Sequence, residues 1–128
     1  MRDNIIYTYT RKQAIADGEQ FNVDDFDVTI RSNNNFKIPV FITKGIKKVI
    51  TQSLELGFND FNGVLHDILY MLHHKIKIVN TDSDLIKFEV LIYCLNHKHK
   101  TFEFYAQISS MDIDNLDPAL TVMTKHDL

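Results

Sequence analysis

The chain predicts an α+β fold in which helices pack on one face of a three-stranded antiparallel sheet, as a single two-layer domain over residues 1–128. Three observations lead there. Residues 43–72 carry apolar side chains at a period near 3.6, residues 86–108 alternate with a period of two, and a last short apolar run, residues 119–123, follows an acidic turn. Helices first and a strand meander last place the helices together on one side of an antiparallel sheet.

Taken in order, Ile5, Ile6 and Tyr7 begin extended and lead into a short helix. Thr10 is a good N-cap with Gln13 three residues on, the spacing of a capping box, and Gly18 suits the C′ position after Ala14, Ile15 and Ala16. Arg11 and Asp17 have no part in that local account; they pair across the helix or face a partner. Phe21 to Asp27 reads two ways. Either Asp24 or Asp25 caps a helical turn through Phe26, Val28 and Ile30, or the same residues alternate as a strand, and Ser32 to Asn35 then form a turn.

Phe36 to Ile42 is a short apolar segment interrupted by Pro39, which predicts an edge strand or an extended connector, because proline cannot donate to a sheet ladder. Thr43 caps the next helix, with Ile46, Val49, Ile50, Ser53 and Leu54 on one face and Gly57 as its stop. The clearest helix follows, with Phe61, Val64, Leu65, Ile68, Leu69 and Leu72 in one stripe and Asp60 or Asn62 as its cap. Two strands come next. Ile86, Phe88, Val90, Ile92 and Cys94 alternate with Lys87, Glu89, Leu91, Tyr93 and Leu95, then Phe102, Phe104, Ala106 and Ile108 alternate with Glu103, Tyr105 and Gln107. The N-H-K-H-K run between them is a hairpin connection. Ala119 to Met123 is the third strand, after the acidic loop M-D-I-D-N-L-D-P.

With 45% apolar and 24% charged residues, the balance is that of a folded globular protein with one core. No apolar run is long enough to span a bilayer, the first residues lack a signal-peptide core, and the single Cys94 has no internal disulfide partner. A bacterial cytoplasmic location is the expectation. The net charge of −3 is unevenly spread: the middle of the chain is mildly basic and both ends are acidic. That pattern argues against a direct nucleic-acid binder and permits an acidic protein that sits on another protein's basic surface.

Candidate chemistry is sparse. His66, Tyr70 and His74 share one side of the long helix, opposite the apolar stripe, but eight residues separate the histidines and no H-E-x-x-H accompanies them. The remaining histidines read as polar surface. Cys94 falls on the inward face without a base beside it in sequence, and the four glycines build no phosphate loop. Two clusters of carboxylates stand out, Asp24, Asp25 and Asp27 in one segment and Asp112, Asp114 and Asp117 in another. They suit helix capping and a polar turn, an acidic partner-binding surface, or a hard cation, although the second cluster lacks the glycine and glutamate of an EF-hand. Neither a metal nor another cofactor is expected. The outward sheet face is the last candidate: Leu91, Tyr93, Leu95 and Tyr105 are apolar or aromatic where a half-buried sheet is normally polar. Coverage by Phe21 to Ile30, a second copy of the chain, or a partner would each bury it.

The opening segment Y-T-Y-T-R-K-Q-A-I-A-D-G, Tyr7 to Gly18, resembles that of an uncharacterised family of small proteins carried by bacterial plasmids, phages and conjugative elements. Its members begin with an aromatic-T-R-x-Q-A-x-x-D-G signature and usually sit among anti-defence genes. F-K-I-P-V-F-I-T, L-H-D-I-L-Y-M-L-H and the closing D-P-A-L-T-V-M resemble later parts of the same family. The chain departs from the pattern by lacking a glycine-rich G-P-G-D-like turn before the last strand and a tryptophan in the central helices, which puts any shared site near residues 109–118 in doubt. The resemblance implies no catalytic residues. It implies an anti-defence inhibitor, most specifically a type II anti-CRISPR protein that binds Cas9, with or without its guide RNA, and blocks guide RNA or target DNA. The alternatives are a small metal-dependent enzyme acting on nucleic acid and a homodimeric interaction module of the mobile element.

Overall fold

The computed structural model describes residues 9–56, 60–78, 85–94 and 98–128. In chain order these form α1 (Arg11–Ala16), β1 (Gln20–Asn22), a 3₁₀ turn (Val23–Asp25), α2 (Val28–Asn33), β2 (Val40–Thr43), α3 (Lys44–Ser53), a second 3₁₀ turn (Leu54–Leu56), α4 (Phe61–Ile78), β3 (Leu85–Cys94), β4 (Lys98–Asp112), β5 (Asn115–Thr124) and a closing 3₁₀ turn (Lys125–Asp127). No described helix is long and apolar enough to cross a membrane.

Local chemistry sets the helix starts. The Thr10 hydroxyl accepts from the Gln13 N–H while the Gln13 side chain accepts from the Thr10 N–H, a complete capping box, and Gly18 follows the helix at φ +75°. Thr43 caps α3 by accepting from the Ile46 N–H (3.3 Å), and Asp60 caps α4 by accepting from the Gly63 N–H (3.0 Å). In the ambiguous stretch neither Asp24 nor Asp25 is a cap. Asn22 caps the 3₁₀ turn and Asp27 caps α2.

The sheet corrects the sequence-based expectation. It has five strands in the order β1-β2-β5-β4-β3, with β2 and β5 parallel and every other pair antiparallel, in place of three antiparallel strands. Two strands account for the difference. β1 is only three residues long, too short to display a period. β2 is an interior strand, neither an edge nor a connector, because Pro39 lies just before it: no ladder donor is lost, and the Pro39 carbonyl accepts from the Leu120 N–H (2.9 Å). All four β2 residues are buried, so it reads as a plain apolar run, as strands covered on both faces do.

The helices are also not confined to one face. Val40 and Ile42 of β2, Leu120 and Val122 of β5, Phe104 and Ala106 of β4, and Ile86, Phe88, Val90 and Ile92 of β3 form one core with α2, α3 and the Val64–Leu72 stripe of α4. Phe21, Phe26 and Ile30 join that same core, the Phe26 ring 4.7 Å from Phe61, so the segment from Phe21 to Ile30 leaves the outward face uncovered. α1 instead lies on the outward face, over β1, β2 and β5, where its Arg11 reaches Gln20 and Thr121. On the β3–β4 part of that face Leu91 stays 63% exposed.

Candidate functional site

A cleft of about 340 Å³ opens on the outward face between α1, the end of β4, β5 and the closing turn, lined among others by Thr10, Arg11, Gln107, Ser109, Asp112 and Asp127. Arg11 is its most constrained member. The Nε–H donates to the Met111 carbonyl (2.7 Å), and the two Nη1 hydrogens go to Gln20 Oε1 (2.8 Å) and Thr121 Oγ1 (2.9 Å). The guanidinium lies 4.3 Å from the centroid of the fully buried Phe41 ring. Partial burial pulls its pKa down and the nearby Asp112 charge opposes that, leaving a group that stays cationic.

Asp112 does not pair with this cation. Its carboxylate accepts from the backbone N–H groups of Arg11 (3.2 Å), Lys12 (3.0 Å) and Ile113 (2.9 Å), so it fills the exposed start of α1 and ties the helix to the β4–β5 turn. The ion pairs among the described residues are Arg31–Asp24 (2.9 Å), His66–Asp67 (3.9 Å) and Lys87–Glu103 (3.2 Å), none of which involves Arg11. Asp17 is also engaged elsewhere: it accepts from the Tyr9 hydroxyl (2.7 Å), a bond that pushes the phenol up to about 12. At the far end of the cleft, Asp127 Oδ2 accepts from the Thr43 hydroxyl (2.7 Å), the Thr124 N–H (2.8 Å) and the Thr124 hydroxyl (2.9 Å).

The hydrogen bond from Ile113 N–H, with those from Lys12 and Arg11, holds the Asp112 carboxyl below the usual carboxylate range against partial desolvation. A depressed folded-state pKa means the contribution is complete above the ordinary value and is lost as pH falls through the folded one. The amide resonances of Arg11, Lys12 and Ile113 are therefore expected to move together in an acid titration, with a midpoint below about 3.9. A midpoint at or above that value refutes the account, and Asp112→Asn should abolish the transition.

The residues singled out from sequence separate into two groups. Asp24 forms a forked pair with Arg31 (3.3 and 2.9 Å), whose Nη1 also donates to the Ile38 carbonyl (3.3 Å). Asp27 caps α2 through the Thr29 N–H (2.9 Å), and Asp112 is spent on α1. Asp25, Asp114 and Asp117 are exposed, and no hydrogen bond or ion pair joins the two acidic clusters among the described residues. The Tyr105 hydroxyl donates to Glu103 Oε1 (2.6 Å), and Tyr93 pairs with His99 across the β3–β4 ladder. Leu95, Gly57 and His97 lie outside the described residues. The Tyr70 and His74 rings lie 5.5 Å apart, tilted by 33°, on the open side of α4, and among the described residues no three His, Cys, Asp or Glu groups converge as a metal site would require.

Arg11 had one sequence signal. Arg11 and Lys12 begin α1, where the helix dipole disfavours cations, so Arg11 needs a reason from outside the helix. Its partners Met111 and Thr121 are too distant in sequence to point to it. No protein-family model matches the chain, and no curated protein or solved structure matches it significantly.

Proposed function

We propose that the chain is a non-catalytic, protein-binding inhibitor of bacterial anti-phage defence, carried by a mobile element and acting in the bacterial cytoplasm on Cas9, where it blocks guide RNA or target DNA. The resemblance of its opening segment to a family found among anti-defence genes motivates the target. One structural observation supports the mode of action: the far half of the β4–β5 hairpin is an arm that α1 holds at Met111 and Asp112 and whose tip is exposed. Among the described residues β2 pairs with β5 only over Leu120–Val122 and β3 pairs with β4 only as far as Gln107, so Ser109 to Ala119 have no further ladder partner there. At its end Leu116 is 84% and Ile113 60% exposed, beside the exposed Asp114 and Asp117.

An arm that carries aliphatic and acidic side chains together suits a basic, partly apolar channel. Cas9 holds its nucleic acids in positively charged channels. Charge complementarity would speed association, and the aliphatic side chains would supply the buried contact. Purified protein mixed with Cas9 and guide RNA is expected to co-elute with the complex and to suppress DNA cleavage at a stoichiometric ratio. The charge-reversed Asp114→Lys, Asp117→Lys double variant should lose both effects. Undiminished cleavage at large excess, with no co-elution, overturns the proposal.

A further inference from the structure

We infer that the cleft beside Arg11 is a binding site for a small polar carboxylate, anchored by the Arg11 guanidinium. The argument begins from how the cation is held. A guanidinium has five N–H donors. Three are spent, one on Met111, one on Gln20 and one on Thr121, which fix the plane of the group over Phe41. The two on Nη2 have no acceptor among the described residues, and no carboxylate among them stands within ion-pairing distance. A partly buried, immobilised cation with no carboxylate at ion-pairing distance among the described residues, lining an open cleft, is a preorganised anion anchor.

The lining selects among anions. Asp112 and Asp127 also border the cleft, so a doubly charged phosphate would face two like charges, whereas a singly charged carboxylate meets less repulsion and needs only one charge-assisted bond from Nη2. Thr10, Gln107, Ser109 and Ser110 add neutral hydroxyl and amide groups, which favour a polar rather than an aliphatic remainder. At about 340 Å³ the space lies at the small end of ligand sites, roughly 300–1,000 Å³, the size for a metabolite such as an amino acid. Pinning α1 to the sheet uses only the three spent donors; among the described residues the Nη2 pair has no acceptor.

The test uses the isotope-labelled protein alone, so its outcome is independent of the Cas9 reading. The Arg11 Nε–H resonance is followed while acetate, L-glutamate, inorganic phosphate or chloride is added. L-Glutamate is expected to give a saturable shift at millimolar concentration, acetate a weaker one, and phosphate binding at least about fivefold weaker than glutamate. Ser109→Phe, at an exposed wall position that leaves Arg11 intact, should weaken glutamate binding about tenfold or more, as should Arg11→Lys, which keeps the charge but not the planar group that Met111, Gln20 and Thr121 hold in place. No saturable shift with either carboxylate overturns the inference. So does phosphate or chloride binding as tightly as glutamate, or affinity unchanged in Ser109→Phe.

Discussion

Phe41→Ala is expected to destabilise the protein by about 3–5 kcal/mol, a large share of the roughly 5–15 kcal/mol that holds a domain of this size together. Phe41 is fully buried although it points to the outward face of the sheet. The change leaves a cavity between β2 and α1 and removes the surface over which the Arg11 guanidinium sits at 4.3 Å. Urea unfolding measures the loss. Leu91→Ala is the matched control: on the same face but 63% exposed, it should change stability by less than about 0.5 kcal/mol. A Phe41→Ala cost below about 1 kcal/mol would mean that α1 does not cover this part of the sheet.

The second large effect is expected at the junction of α3 with the closing turn. Asp127→Ala removes the acceptor of three hydrogen bonds, one of them from the buried Thr43 that also caps α3, and should cost about 2 kcal/mol. Gly45 supplies the space for this junction. A Cβ there would stand 2.8 Å from Asp127 Oδ2 and 3.0 Å from Thr124 Oγ1, so Gly45→Ala must displace the carboxylate, despite alanine's better helix propensity. The two changes should therefore not add. In a double-mutant cycle the Gly45→Ala penalty is expected to shrink once Asp127 is already alanine, and strict additivity would show that the carboxylate is not what the glycine accommodates.

The readable parts of this chain are those in which cause and effect are neighbours. Thr10 with Gln13, Thr43 with Ile46, and Asp60 with Gly63 are contacts within one turn, and each is legible as a cap. The inward residues of β3, Ile86 through Ile92, alternate visibly with outward ones because one face is buried and the other is not. β2 defeats the same reasoning, since burial on both sides erases alternation and Pro39 suggests an edge. The first four residues of β5 are hidden for the opposite reason: Asn115 to Pro118 are all exposed, so neither face alternates and a hairpin arm resembles a loop. The cleft was least legible of all. Arg11, Gln20, Met111 and Thr121 meet only because β5 runs beside β2, and no local pattern encodes that adjacency.

That adjacency also orders the assembly of the molecule in time. β5 comes after the other four strands of the sheet in chain order, yet it is the one that joins β2 to β4. While β5 is still missing, only the β1–β2 and β3–β4 pairings have both partners present, and bringing Leu120 to Val40 then closes a long loop. Such non-local pairing makes folding slow. Until β5 arrives, the V-F-I-T edge of β2 is apolar on both sides and open to another strand, which makes the nascent chain most vulnerable to aggregation at the centre of its eventual sheet.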